Sequence, residues 1–340
     1  MSLPKRTFCS KGHPWGGPFF PSFGAAIVTA FAVCSPTGAT DEPQPVKSAR
    51  EQDPAVSSLR IYQELGFVTG DDDFPAVGNF VFLPGPADSS YVIFGLSLSN
   101  NALRFRRDQP GFVARYRVVI TIVDAAAPAA WLDQTEVVRV SSFRETSRRD
   151  ESVVFQGYLK LAPGEYLATV VVYDLASSSG FEARITLEVP RFDDVFITSP
   201  VIVYRAAPRP SRDAAPSLIV NPRATVDRGG GQSHLYVESS TSGHDPAIVE
   251  IVEEGLVVST DTLTFQQGDG PLSTARTPLD ASELSPGTLQ IRVRRPGPVR
   301  GDSTMLVVAL MPGWIVPDYL TAISHLRYAG TPTQLDSLAA

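Results

Sequence analysis

From residue 77 onward, apolar and polar positions alternate along the chain with a period of two. Over residues 181–189, Phe181, Ala183, Ile185, Leu187 and Val189 are interleaved with Glu182, Arg184, Thr186 and Glu188. Side chains of an extended strand point alternately to opposite faces, so this segment reads as a half-buried antiparallel strand. Residues 114–123 behave similarly, with Tyr116, Val118, Ile120 and Ile122 inward and Arg115, Arg117 and Thr121 outward. There Val119 and Val123 put apolar side chains on the outer face as well. The pattern predicts strands near 90–98, 114–123, 134–141, 152–159, 165–174, 181–189 and 200–205. After a proline-rich break at 206–216 it predicts more near 217–221, 233–239, 247–253, 256–265, 288–294 and 303–309, where Leu289, Ile291 and Val293 alternate with Gln290, Arg292 and Arg294.

Short strands at this spacing predict an all-β protein of two tandem immunoglobulin-like β-sandwich domains, over 59–206 and 217–312. Leu161-Ala162-Pro163-Gly164-Glu165-Tyr166 has the form of a tyrosine corner, in which the Tyr166 ring packs inward and its hydroxyl bonds back to the upstream backbone. Leu284-Ser285-Pro286-Gly287 echoes that turn, so the two domains read as diverged copies of one plan. Leu289 stands near the place of the tyrosine in the second copy, where that hydrogen bond is lost.

Both ends change character. Leu320, Ile323 and Leu326 follow one another at helical spacing, and Thr331-Pro332 has the form of an N-cap and first-turn proline. They predict a short helical hairpin over 317–340, whose apolar stripe docks on the second sandwich or binds a partner. At the N-terminus, Lys5, Arg6 and Lys11 precede an uncharged stretch from 14 to 40 with a continuous apolar or small run at 23–33. That is the layout of a signal or anchor segment, assigned to 1–39. Phe31-Ala32-Val33-Cys34 resembles a bacterial lipobox, which makes Cys34 a candidate lipid-attachment residue. Acylation at Cys34, an uncleaved transmembrane anchor and cleavage to a soluble product remain alternatives, and each exports the bulk of the chain. Residues 40–58 are polar and proline-bearing and read as a linker.

A net charge of −7 argues against a nucleic-acid partner, which needs a basic face. The cysteines are Cys9 and Cys34 alone, so the folded part has no disulfide, thiolate metal site or cysteine nucleophile. His13, His234, His244 and His325 share no metal-ligand spacing. Gly229-Gly230-Gly231 lacks the lysine of a phosphate-binding loop, and Asp71-Asp72-Asp73 reads as an acidic turn. Glu250, Glu253 and Glu254 read as solvated positions on a strand and its turn. No catalytic, cofactor-binding or metal residue is predicted, and no cofactor or small-molecule substrate.

Several stretches resemble the GWxTD-domain proteins of bacteria. They are 82–89 (with Phe82-Leu83-Pro84-Gly85), Leu103-Arg104-Phe105-Arg106-Arg107, Phe143-Arg144-Glu145-Thr146, 151–156, 161–166, Asn221-Pro222-Arg223, and His325-Leu326-Arg327-Tyr328 with Leu335. The resemblance spans about residues 60–338 and implies export and β-sandwich architecture more than an activity. The family's last module would follow the helix pair, where this chain ends at Ala340; Gly313-Trp314 lies before that pair and lacks the threonine. This implies a chain kept for its interaction surfaces. The expected function is a non-catalytic periplasmic or extracytoplasmic accessory subunit, attached to the membrane by its N-terminus. Its expected partners are protein subunits of a membrane complex, such as an electron-transfer, photosynthetic or secretion assembly. One rival is a carbohydrate- or peptidoglycan-binding module using Trp131, read as part of an alanine-rich loop. The other is an enzyme with a dispersed site.

Overall fold

The computed structural model describes residues 54–124, 127–148, 152–229, 233–240, 246–268, 270–295 and 301–310, all within the compact unit Glu51–Ala340. The anchor expected at 1–39 with Cys34, most of the linker, and the hairpin expected at 317–340 lie outside these residues.

The first described element is helix α1 (Pro54–Glu64), which overlaps the end of the expected linker. Proline is well suited to a first helical turn, where its missing N–H costs no hydrogen bond. Leu59, Ile61 and Tyr62 are buried, while Arg60, Gln63 and Glu64 face solvent. Tertiary burial therefore fixes a helix that the polar composition of 40–58 conceals.

The first half of the body contains β1 (Val68–Thr69), β2 (Ala76–Pro84), β3 (Ser90–Ser99), β4 (Arg106–Asp108), β5 (Gly111–Asp124), β6 (Ala127–Val140), β7 (Ser152–Leu161), β8 (Gly164–Asp174) and β9 (Gly180–Val189). A one-turn helix α2 (Phe143–Thr146) follows β6. Sheet A has the order β1-β2-β3-β7, and sheet B the order β6-β5-β8-β9, with β4 as a short hairpin partner of β5. Val92, Phe94, Leu96, Leu98 and Phe155 of sheet A share one core with Tyr116, Val118, Ile120, Ile122, Val170 and Val172 of sheet B.

The second half contains β10 (Val201–Ala206), β11 (Leu218–Val220), β12 (Thr225–Asp227), β13 (His234–Ser240), β14 (Ala247–Glu253), β15 (Leu256–Leu263), β16 (Gln266–Gln267), β17 (Leu272–Pro278), β18 (Gly287–Arg294) and β19 (Asp302–Ala309). Sheet C runs β11-β10-β13-β17-β16 and sheet D runs β12-β19-β18-β14-β15. Ile202, Leu235, Val237 and Ala275 of sheet C meet Val249, Ile251, Leu289, Ile291, Val293 and Leu306 of sheet D in a second core. Pairing is antiparallel throughout except for β12, which runs parallel to β19. The halves repeat one strand order: β2-β3-β7 facing β6-β5-β8-β9, and β10-β13-β17 facing β15-β14-β18-β19.

The strand expected near 200–205 as the last of the first group is β10, and it pairs with β11 and β13 in the second half. Its side chains explain the placement. Ile202 points into the second core, whereas Val201 and Val203 point the other way, into a third apolar cluster with Leu83, Tyr91 and Ile93 of sheet A. That cluster joins the outer faces of sheets A and C, so the sheets stack in the order B, A, C, D. Fully burying one such aliphatic side chain contributes about 1.5–3 kcal/mol, so the shared face holds the halves together strongly. Strand β3 lies within this stack and is buried at every position. At Gly95 an added Cβ would lie 3.3 Å from the Pro222 ring, and the missing side chain lets the two layers approach there. Helix α1 closes the side of the stack, packing Leu59, Ile61 and Tyr62 against Val77 of β2 and Val307 and Ala309 of β19.

Candidate functional site

The densest polar constellation lies between the halves. Arg209, in the proline-rich segment between β10 and β11, is fully buried and pairs with the fully buried Glu238 of β13 at 2.5 Å. Its Nη2 also donates to the Pro84 carbonyl at 2.7 Å and its Nη1 to the Ala214 carbonyl at 3.2 Å, while the guanidinium lies 5.5 Å from the Tyr91 ring centroid. The Tyr236 hydroxyl donates to the second Glu238 oxygen at 2.7 Å. Burial pushes the Glu238 carboxyl above the usual carboxylate range more than Arg209 pulls it down. Burial, with the Glu238 charge beside it, likewise raises the Tyr236 hydroxyl. Around this centre Arg212 reaches the Gly85 and Phe192 carbonyls, and Arg223 reaches Ser97 Oγ at 3.0 Å. Arg209, Arg212 and Arg223 each reach across to the first half, at Pro84, Gly85 and Ser97, an arrangement that bolts the layers together. The segment read as a linker break is the bolt.

Where the chain meets solvent, the notable surface is the outer face of sheet B. The register aligns Trp131, Thr121, Thr169 and Arg184 in one row across β6, β5, β8 and β9, and Asp133, Val119, Val171 and Glu182 in the next. Trp131 is 65% exposed and Leu167 44% exposed, with Val119, Val123 and Tyr173 half-buried beside them. Fixed charges border this strip. Arg117 grips Asp133 with both ends of its guanidinium, Nε to Oδ1 at 2.6 Å, which holds the Asp133 carboxyl below its usual range. Arg184 pairs with Glu182 at 2.9 Å. A strip of Trp, Leu and Val with polar margins is the composition of a contact face.

The structure places Trp131 on edge strand β6, where an alanine-rich loop was expected. The strand begins at Ala127 because its backbone pairs with β5 from Asp124 onward, and pairing outweighs the weak strand propensity of the alanines. Asp71 caps its own turn, Oδ1 accepting from the Phe74 N–H at 2.8 Å and the Asp73 N–H at 3.1 Å. Glu250 is engaged rather than free: Arg294 of β18 holds it at 2.8 Å and lowers its carboxyl. Glu254 and Gly255 form the two-residue turn of the β14–β15 hairpin, both with positive φ (48° and 86°). His234 begins β13, and the other three histidines lie outside the described residues. Among the described residues no group of three His, Cys, Asp or Glu comes together as a metal site.

The Arg209–Glu238 pair has no signal in the sequence, and the composite face only a faint one. The first joins residues 29 apart in the chain through a proline-rich stretch without pattern. The second was visible as the apolar residues Val119 and Val123 on a face that alternation assigns to solvent.

No protein-family model matches the chain, and no curated protein matches it. Among solved structures, red sea bream transglutaminase is similar at 10% identity and a TM-score of 0.22, over 73% of this chain and 33% of that one. The exo-chitosanase CsxA of Amycolatopsis orientalis is similar at 9% identity and a TM-score of 0.16, over 60% of this chain and 26% of that one. The chain spans a third or less of either protein, and at these scores the likenesses inform neither its fold nor its chemistry.

Proposed function

We propose that this chain is a non-catalytic accessory or scaffold protein, made of two tandem immunoglobulin-like β-sandwiches and attached to the extracytoplasmic side of a membrane through its N-terminal segment. The resemblance to GWxTD-domain proteins and the lipobox-like residues before Cys34 support export and anchoring. The strand order that the halves share, a central set of three strands facing four within larger sheets, supports the immunoglobulin-like reading. Partner binding rests on one observation: Trp131 and Leu167 both stand exposed on the outer face of sheet B, beside the ion pairs Arg117–Asp133 and Arg184–Glu182.

The partner in this reading is a protein subunit of a membrane complex, which buries the Trp131 strip and leaves the ion pairs at the rim. Buried aromatic residues at the centre of such a face are typical anchors. The test is affinity capture from detergent-solubilised membranes. The intact protein recovers a stoichiometric protein partner, and the Trp131→Glu/Leu167→Glu variant loses it; recovery of none by the intact protein counts against the proposal. Intact mass of the membrane-extracted chain separates retention of Met1 from a lipidated start at Cys34.

A second reading draws on the same exposed indole. Sugar rings stack on flat aromatic platforms, so Trp131 also suits a glycan or peptidoglycan strand crossing sheet B. Glycan-array binding that Trp131→Ala abolishes supports this reading, and a silent array removes it.

A further inference from the structure

The two halves differ at one edge. In the second half, β12 lies parallel to β19 and completes sheet D. Val226 of β12 and Ala224 just before it, each 3% exposed, enter the core beside Leu306 and Val308. In the first half the equivalent strand, β9, pairs with β8 on one side, and among the described residues no strand pairs with its other side. Instead a groove of about 370 Å³ opens beside β9, lined by Phe80 and Phe82 of β2, by Ile185, Leu187 and Glu188 of β9, and at one end by Gly66 and Val68 where β1 comes up to β9. Leu187 and Val189 of β9 are buried, as are their counterparts Leu306 and Val308 of β19, while Phe181, Ala183 and Ile185 farther along β9 are half-buried.

The matching turns align the two edges residue by residue. Gly164 pairs with Val189 and Gly287 with Val308, so Glu188 corresponds to Val307 and Thr186 to Met305. In the second half the Val307 N–H donates to the Ala224 carbonyl at 2.8 Å, and the Arg228 N–H donates to the Ala309 carbonyl at 3.0 Å. By this correspondence the N–H and C=O of Glu188, and two residues earlier of Thr186, point into the open flank. The ladder stops at Pro190, whose carbonyl accepts from Ser90 Oγ at 2.8 Å. Apolar walls beside unpaired backbone groups are what strand addition requires.

We propose that the β9 edge is an acceptor for an extended segment of a partner protein, which lies parallel to β9 as β12 lies parallel to β19 and inserts alternate aliphatic side chains between Phe80–Phe82 and Ile185–Leu187. The occupant is specified by the filled copy of the site: polar residues outward, one or two medium aliphatic residues inward, as in Ala224-Thr225-Val226-Asp227. Glu188 at the rim favours a basic residue opposite it. The inference rests on the interaction reading only in that the occupant is a protein; it is independent of the Trp131 strip.

The test uses the intact protein and a fluorescein-labelled heptapeptide alternating threonine and valine between terminal lysines, with an all-threonine control. Saturable binding of the valine peptide and none of the control is expected, together with slowed amide exchange at Thr186 and Glu188. Thr186→Pro removes one edge N–H, which edge strands tolerate, and should weaken binding about tenfold without unfolding the protein. Trp131→Glu should leave peptide binding unchanged, so loss of the membrane partner and loss of the peptide report on separate sites. Absence of saturable binding, or equal binding by Thr186→Pro, overturns the proposal. So does dimerisation that Thr186→Pro abolishes, because the occupant would then be a second copy of the chain.

Discussion

The two halves repeat one strand order but secure it by different means. The first has a tyrosine corner, with the Tyr166 hydroxyl donating to the Ala162 carbonyl at 3.0 Å, and among the described residues no strand beyond β9. The second has Leu289 at the matching position and a closed β19 edge. The same architecture thus stands without the corner hydrogen bond where an extra strand completes the sheet, and with the corner tied where no described strand lies beyond β9. What both halves share is the seam between sheets A and C, and there the substitution effects should be largest.

Removing the bolt at that seam is the most severe way to break the comparison. Arg209→Ala leaves the Glu238 carboxylate buried without a counter-charge, at a cost of about 3–5 kcal/mol. Because the guanidinium also holds the Pro84 carbonyl of sheet A, calorimetry should show one transition for the intact protein and a separate one for each half in the variant. Arg209→Met/Glu238→Gln should recover most of the loss, since no buried charge remains. A single unsplit transition in Arg209→Ala, with unchanged midpoint, would contradict the role given to this pair.

Helix α1 provides a second, pH-dependent fastening. Burial pushes the Tyr62 hydroxyl, which sits 2.6 Å from Thr225 Oγ1, up to about 12 from its ordinary 10.0. The unfolded chain therefore loses this proton near pH 10.0 while the folded chain keeps it to about pH 12. Tyr62 contributes its full stabilisation below pH 10.0 and loses it as pH rises through that window, by about 3 kcal/mol in all. Tyr62→Phe should cost about 1 kcal/mol at neutral pH and flatten the alkaline decline, as read by urea unfolding across that range. Parallel curves for the two proteins above pH 10.0 would show that α1 is not seated against β12.

These fastenings bear on what the sequence disclosed. Strands with one wet face were legible: β5, β8, β9 and β18 alternate because one side meets solvent. Strand β2, AVGNFVFLP, was missed since packing on both faces removes the alternation that announces a strand. Strand β17 was missed for the opposite reason: Ser273 and Thr274 are buried, so its composition reads as loop. Segment 206–216 looked like a spacer because prolines and arginines without period normally mark solvent-exposed chain, and only the fold shows Arg209 threaded between two sheets. Of the candidate surface, Trp131 was singled out from sequence, but its neighbours Leu167 and Tyr173 come from a strand paired across β5.

The smallest effect sharpens the comparison most directly. Tyr166→Phe removes one hydroxyl and leaves the ring in the core, where Tyr166 is 8% exposed. Losing its single hydrogen bond should cost about 1 kcal/mol, seen as a lower urea midpoint at unchanged slope. The second half already lives without this bond, but the reverse exchange should gain nothing. Ser285 corresponds to Ala162, so Leu289→Tyr brings a hydroxyl towards an equivalent carbonyl, yet Leu289 is only 2% exposed and its pocket is filled by the sealed core. Overpacking there should cost about 1–3 kcal/mol, more than one hydrogen bond returns. If Leu289→Tyr instead stabilises the protein, the corner is interchangeable between halves, and the closed β19 edge is not what compensates for its absence.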